Sequence, residues 1–296
     1  MRVPAEFRRY HQDLLGGEYD DYMDYFTRPQ SRYSIRVNTL KSSMREVKRL
    51  LGERNIEYGK VSWCNDGLWV GTDDLDLMEH QLGLYYIQNA SSFIAPLVLG
   101  PGDRVLDLCA APGGKTTHLA QVMENRGLLV ANDNSPARLR GLVYNIQRCG
   151  ASNAAVLKED GCRIDKLGLN FDRILVDAPC SSVGTLRQSH EVLRKWSLKW
   201  VKQLTTVQKK MVVSAYDSLC EGGRMVYSTC TTTKEENEDV IEHLLDEREG
   251  AELFKVDLGG LKVRRGLTEN TWKCARIHPH DNDTDPHFIA EVRKSG

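Results

Sequence analysis

Two cysteines carry the strongest chemical signal in the chain. Cys180 follows Asp177-Ala178-Pro179, and Cys230 follows Tyr227-Ser228-Thr229, each just past an apolar run that reads as a buried strand. A lone buried cysteine is ordinary core packing. Two at the tips of neighbouring strands, beside a glycine-containing turn, point to thiol chemistry. Carbon 5 of a pyrimidine is a poor nucleophile, but thiolate addition at carbon 6 makes it enamine-like and able to take a methyl group. The carbon-5 proton and the thiol must then leave, which calls for a base, and a second thiol is a sensible participant. Asp177 is placed to protonate ring nitrogen 3, a role that requires a raised pKa, as expected for a carboxyl in a closed pocket. The residues alone leave open which thiol attacks.

The run Asp107-Leu108-Cys109-Ala110-Ala111-Pro112-Gly113-Gly114-Lys115-Thr116 suggests a ligand loop, but not for a triphosphate. A phosphate-binding G-x-x-x-x-G-K-[ST] loop needs glycine where Cys109 stands, and the adjacent glycines break the dinucleotide pattern G-x-G-x-x-G. What remains is a tight turn into a helix whose first N–H groups suit a carboxylate. Asp133, 26 residues after Asp107, is placed to grip a ribose diol, and Asp160 to accept from an adenine amino group. A ribose, an adenine and a carboxylate together describe S-adenosylmethionine.

These residues need a scaffold that brings strand ends together. From about residue 103, apolar runs at 104–111, 127–134, 154–160, 172–179 and 224–230 alternate with helical patterns at 116–124, 136–148, 199–219 and 234–247. That rhythm predicts an α/β fold, a doubly wound and mostly parallel Rossmann-like sheet with strands buried on both faces. Asp107, Asp133, Asp160, Asp177, Cys180 and Cys230 then all open onto one crevice. The first part reads differently, with helix over 4–26, strand over 32–41, helix over 43–54 and short strands within 58–71. The expected division is a small N-terminal α+β RNA-binding subdomain over 1–84 and a catalytic domain over 85–296.

Composition sets bounds. No apolar run approaches a membrane span, and the charged N-terminus lacks a secretory core, so a cytoplasmic protein with no membrane partner is expected. None of the eight cysteines forms a C-x-x-C pair, which predicts free thiols and no zinc site. Net charge is −1, yet residues 185–210, 32–49 and 262–276 carry seven, six and five Lys or Arg against one acid each. If these stretches converge they form a phosphate-binding face. The segment 278–287, HPHDNDTDPH, resembles a calcium loop only at its start, because Pro286 and Val292 stand where glycine and glutamate are needed. It is read as a loop facing the active-site side, with no metal. Trp196 and Trp200, one helical turn apart, are read as core rather than as a base-stacking platform.

Taken together, YSIRVNTLK, YYIQNASS, DLCAAPGGKTT, ANDNSPARL, FDRILVDAPCSS, GGRMVYSTCTTTKEEN and RIHPHDNDTDPHFIAEVRK resemble the Nol/Nop/Sun family of RNA 5-methylcytosine methyltransferases, especially its compact archaeal tRNA-type members. The resemblance spans nearly the whole chain. It implies that Cys230 is the nucleophile and Cys180 assists product release. It also implies that the loop Cys109–Lys115, Asp133, Arg138, Asp160 and Asp177 surround S-adenosylmethionine, with Lys115 and Asp177 also reaching the target base. The expected substrate is RNA, most simply tRNA, with ribosomal RNA as the alternative and a non-catalytic RNA-binding scaffold as the rival; a monomer is expected. Two departures stand out. Ser181-Ser182-Val183-Gly184 replaces the usual Ser-Gly-x-Gly, and Thr233-Lys234 replaces Ser-Pro.

Overall fold

The apolar runs become strands because each can bury side chains against helices on both sides of one sheet. The computed structural model describes residues 3–296. Helices α1 (Ala5–Leu15) and α2 (Tyr19–Thr27) lead into β1 (Tyr33–Val37), α3 (Met44–Glu53), β2 (Tyr58–Lys60), β3 (Gly67–Val70), α4 (Met78–Gln81) and β4 (Tyr85–Ile87). Next come α5 (Ile94–Leu99), β5 (Arg104–Asp107), α6 (Gly114–Val122), β6 (Leu128–Asn132), α7 (Pro136–Cys149), β7 (Ala154–Leu157) and β8 (Phe171–Asp177). The chain continues through α8 (Glu191–Lys195), α9 (Leu198–Asp217), β9 (Leu219–Thr229), α10 (Glu238–Glu247) and β10 (Ala251–Phe254). It closes with β11 (Arg264–Arg265), β12 (Ala275–Ile277), α11 (Pro279–Asn282) and β13 (His287–Lys294).

The larger sheet runs β11-β12-β13-β9-β8-β5-β6-β7, with β10 also beside β13. Strands β7, β6, β5, β8 and β9 are parallel, and β13 returns antiparallel to β9. One face is covered by α9 and α10 through Met211, Val212, Ala215, Ile241 and Leu244. The other is covered by α5, α6 and α7 through Ile94, Leu119, Leu142 and Ile146. The doubly wound, Rossmann-like reading therefore holds. Strand order reverses at β5, between β6 and β8, so the crevice beyond the carboxyl ends opens there.

Three expectations need correction. Strand β7 is an edge strand, with Val156 42% exposed, because no neighbour covers its outer side. The run 104–111 stops pairing at Asp107, since Leu108 onward must leave the sheet to form the loop. Strand β4 pairs with β1, so the small sheet, ordered β2-β3-β1-β4, extends through Ile87. Helix α3 packs Val47 and Leu51 against Ile35, Val37, Leu68 and Val70 of that sheet, and Ser43 caps it by accepting from the Glu46 N–H.

Helices α1 and α2 pack elsewhere. Phe7, Tyr22 and Phe26 share a cluster with Val183, Leu186, Leu193 and Trp196. Trp196 is buried and meets Phe7 edge-on at 5.1 Å, which makes it core, while Trp200 is half-buried. His11 reaches the Thr232 hydroxyl at 3.2 Å, Tyr22 reaches the same hydroxyl at 3.0 Å, and Tyr25 donates to Asp285 at 2.9 Å. The N-terminal helices thus brace the loops after β8 and β9 and the turn before β13. Among the described residues no helix is long and apolar enough to cross a membrane, and all eight cysteines are free thiols.

Candidate active site

Parallel pairing of β8 with β9 places Asp177 opposite Ser228, so both chains leave the sheet side by side. Cys180 and Cys230 follow within three residues, and their sulfurs lie 3.4 Å apart. The Cys180 thiol is pushed well above its usual pKa, first by its contact with the Cys230 sulfur and then by burial. Cys180 is therefore held as the thiol. The Gly184 N–H donates to the Cys230 carbonyl at 2.8 Å, and a Cβ on Gly184 would stand 2.8 Å from that oxygen and 3.2 Å from the Cys230 Cβ. Gly184→Ala is expected to displace Cys230 by enough to lower kcat at least about tenfold, with KM for the methyl donor unchanged. Steady-state kinetics on purified variants check this. The Ser-Gly-x-Gly departure has a structural expression too: Ser182 adopts φ 55°, a left-handed conformation in which glycine carries no strain.

A carboxylate not among the expected site residues holds the two cysteine loops together. Glu236 is fully buried and accepts from the Ser181 N–H at 2.8 Å, the Ser181 hydroxyl at 2.6 Å, the Thr233 hydroxyl at 2.7 Å and the Gln208 amide at 3.1 Å. Asn237 adds to this by accepting from Thr229 at 2.6 Å and donating to the Thr231 carbonyl at 3.1 Å. Only the sequence position of this pair, in Lys234-Glu235-Glu236-Asn237 at the start of a helical pattern, hinted at a role.

Lys115 sits on the first turn of α6 and donates to Asp177 at 2.6 Å, while the Ser228 hydroxyl donates to the other Asp177 oxygen at 2.8 Å. Burial alone would raise the Asp177 pKa, but Lys115 and these hydrogen bonds hold it below the usual carboxylate range. The expectation of a raised Asp177 pKa is therefore overturned: the ion pair keeps the carboxyl ionised, and Lys115 holds the proton. Burial pulls the Lys115 pKa down, but Asp177 outweighs it and leaves the ammonium favoured.

The loop from Cys109 to Gly114 is tied to β6 and α7 through its backbone. The Ala110 N–H donates to the Asn132 carbonyl at 2.7 Å, the Ala111 N–H to Asp133 at 3.3 Å, Arg138 donates to the Ala111 carbonyl, and Asn145 donates to that of Pro112 at 2.9 Å. Gly113 has φ 112°, and a Cβ there would press within 3.3 Å of Leu142 and Asn145. Asp133 accepts from the Ser135 N–H at 3.0 Å and pairs with Arg138 at 3.2 Å.

These groups border one cavity of about 700 Å³, within the usual range for ligand pockets. Of the expected residues, Cys109, Lys115, Asp133, Arg138, Asp177, Cys180 and Cys230 line it. Ala110, Ala111, Pro112, Gly113 and Gly114 do not, and act as its backbone support. Asp160 is exposed and accepts from the Cys162 N–H at 3.0 Å, and its neighbour Gly161 lines the cavity instead. Asp107 does not open onto the crevice. It is fully buried, accepts from Thr116 at 2.7 Å, and burial pushes its pKa up to about 7.

The cavity fits S-adenosylmethionine on its own features. Leu108 and Met211 pack close to Gly161, where a Cβ would stand 3.2 and 3.3 Å from them, and with Val207 they give the cavity an apolar part, while Asp133, Arg138 and the two thiols line the same space. Two liners escaped sequence reasoning. Gln88 and His287 both have buried polar atoms with no partner among the described residues. Their signal was weak, because neither belongs to a spacing that chemistry requires.

The segment 278–287 does face the active-site side, since Asp285 and His287 line the cavity. Glu18, His278 and His280 gather with ligand-type atoms within 4.8 Å of one another. Arg264, however, donates to Glu18, to Asp281 at 2.7 Å, and to the His280 Nε2 at 3.2 Å, so an internal cation already engages the set. This spends part of the basic stretch 262–276, whose Arg276 is also buried against Glu238. Arg36 of the stretch 32–49 is likewise buried, donating to Gln121 and Thr117 of α6. Lys199, Lys202, Lys209 and Lys210 on α9 are unpaired with acids among the described residues.

Residues 95–293 match the family model of the 16S rRNA methyltransferase RsmB/F, and residues 3–90 match the N-terminal domain of 16S rRNA methyltransferase RsmF. The tRNA (cytosine(49)-C(5))-methyltransferase of Pyrococcus abyssi is 39% identical, over 99% of both chains. The ribosomal RNA small subunit methyltransferase F of Vibrio cholerae is 40% identical over 89% of this chain, which spans 58% of that protein's length. The solved structure of NSun6 from Pyrococcus horikoshii with SFG, an analogue of S-adenosylmethionine, aligns with TM-score 0.89 at 26% identity over 99% of this chain and 98% of that one. A methyltransferase homologue from the same organism aligns with TM-score 0.85 at 32% identity, over 97% and 93%. With the cofactor-type cavity and the matched motifs, these likenesses show that the chain belongs to the RsmB/F family of S-adenosylmethionine-dependent RNA cytosine-C5 methyltransferases.

Proposed function

We propose that this enzyme methylates carbon 5 of a cytosine in tRNA through a covalent adduct between Cys230 and carbon 6. The observation that carries the reading is the pair of sulfurs, 3.4 Å apart at the cavity wall, with Cys180 the one held protonated. Cys230 is then the sulfur that forms the carbon–sulfur bond. Lys115 places an ammonium beside the ring as negative charge develops, and ionised Asp177 orients it. S-adenosylmethionine, when bound, supplies the electrophilic methyl group. Release requires transfer of the carbon-5 proton to solvent water and return of the carbon–sulfur electron pair to Cys230. A hydrogen bond from the Cys180 thiol stabilises the departing thiolate.

Asp133 and Arg138 are assigned to the ribose and carboxylate end of the cofactor, the loop Cys109–Lys115 to its backbone cradle, and the apolar part at Leu108 and Met211 with neighbouring Asp160 to its adenine. The target base must leave its stack to reach the thiols. The small N-terminal unit and the α9 lysines would hold the surrounding RNA by shape and phosphate contacts.

The end-to-end match to the Pyrococcus abyssi tRNA enzyme favours tRNA. The family models, described for 16S rRNA methyltransferases, favour the second reading, ribosomal RNA. Incubating separate tRNA and small-subunit rRNA pools with the enzyme and methyl donor, then quantifying 5-methylcytidine by mass spectrometry, decides between them. Product in the tRNA pool alone is expected, and product in rRNA alone would contradict the reading.

A further inference from the structure

His287 is a buried histidine in the cavity wall that the chemistry above leaves unused. It is 3% exposed, lines the cavity, and stands at the start of β13. The β13–β9 ladder ends with Phe288 opposite Thr229, so the next residues outward on the two strands are His287 and Cys230. Lys115 and Asp177 are its charged neighbours, and burial followed by Lys115 lowers its pKa to about 3. The ring is therefore neutral in the working range and a poor proton acceptor, which makes it unsuited to removing the carbon-5 proton.

Its tautomer follows from the hydrogen bonds around it. The Ser91 hydroxyl donates to Asn89 Oδ1 at 2.9 Å, so its proton is already placed. His287 Nδ1 lies 3.4 Å from that same hydroxyl oxygen, and in the tautomer that pairs with this arrangement it carries the hydrogen between them. Nε2 is then the lone-pair nitrogen. It is buried and has no partner among the described residues. A buried acceptor left without a donor costs free energy that a ligand can recover.

Nε2 in this tautomer is an acceptor of fixed sense that has no partner among the described residues. Both Asp177 oxygens are engaged by Lys115 and Ser228. The Gln88 amide is unpartnered as well, but it can rotate to present either its oxygen or its nitrogen, so it does not discriminate. Cytosine carries a donor amino group on carbon 4, where uracil carries an acceptor oxygen. We infer that His287 Nε2 accepts a hydrogen bond from the amino group of the target cytosine, making it a specificity-determining residue that rejects uracil. The inference rests on the reading that the target base binds at the Cys180–Cys230 pair.

A chemical double-mutant cycle tests it. Wild type and His287→Phe are compared on RNA that the wild type methylates, and on the same RNA with the target cytidine replaced by its 4-deamino analogue, a pyrimidin-2-one riboside. The readout is the rate of covalent adduct formation. The analogue's different intrinsic reactivity cancels in the ratio of ratios. Loss of the amino group is expected to slow the wild type about tenfold or more relative to its effect on His287→Phe, because the variant has no bond left to lose. His287→Gln, which keeps an acceptor carbonyl, is expected to fall between them and carries the test if the phenylalanine variant does not fold. Calorimetry with S-adenosylhomocysteine, expected to give unchanged affinity, reports that the cofactor side is intact. Equal sensitivity to the amino group in wild type and variants would overturn the inference. Failure of the wild type to form an adduct with either RNA would instead overturn the underlying reading of the base site.

Discussion

Cys180→Ala is expected to accumulate a covalent RNA–protein adduct that survives a denaturing gel, with little free methylated product. Cys230→Ala is expected to yield neither adduct nor product. The asymmetry follows from Cys180 being held as the thiol. Contact with Cys230 and burial both keep the Cys180 thiol protonated, which frees the neighbouring sulfur to attack. Without Cys180, attack proceeds but the leaving thiolate loses its hydrogen-bond donor. A fall in turnover of at least about a hundredfold is expected for Cys180→Ala, comparable to losing a charge-stabilising donor at an active site. Gel shift combined with nucleoside mass spectrometry reads both variants. Persistent product from Cys230→Ala would mean that the roles are reversed.

Glu236→Ala has the second largest expected effect, and it acts on stability and activity together. Removing the carboxylate leaves the Ser181 N–H, the Ser181 and Thr233 hydroxyls and the Gln208 amide without their acceptor. Unsatisfied buried donors cost about 1–3 kcal/mol each, and the Ser181 hydroxyl keeps its bond to Thr231 at 2.8 Å. A loss of at least about 3 kcal/mol in unfolding free energy is expected, measured by chemical denaturation. Adduct formation should fall in parallel, because the loops bearing Cys180 and Cys230 are no longer held in register. Glu236→Gln keeps the shape and two of the acceptor bonds at most, so it is expected to lie between. A denaturation midpoint unchanged in Glu236→Ala would contradict the clamp.

The parallel core was legible because β5, β6, β8 and β9 are buried on both faces and so read as continuous apolar runs. The thiols were legible for a chemical reason: cysteines just past two adjacent strand ends put two sulfurs within reach of one ligand, which core packing does not require. Groups whose role depends on distant partners were not. Arg36 looked like part of a basic surface, yet it lies beneath α6 because the small sheet docks there. Asp107 shares its strand-end position with Asp133, but Thr116 of the next helix draws it inward, away from the cavity. The ionised state of Asp177 depends on Lys115, 62 residues earlier. Glu236 and His287 read as a helix-start acid and a member of a histidine-rich loop, and only their three-dimensional neighbours show more.

The central claim is that Cys230 forms the bond to cytosine, and locating that bond tests it most directly. RNA carrying 5-fluorocytidine at the target lets the thiol add and the methyl transfer, but the carbon–fluorine bond blocks elimination, so the adduct persists. Digestion and tandem mass spectrometry then identify the modified cysteine. Attachment at Cys230 is the expected result, and attachment at Cys180 would contradict the account.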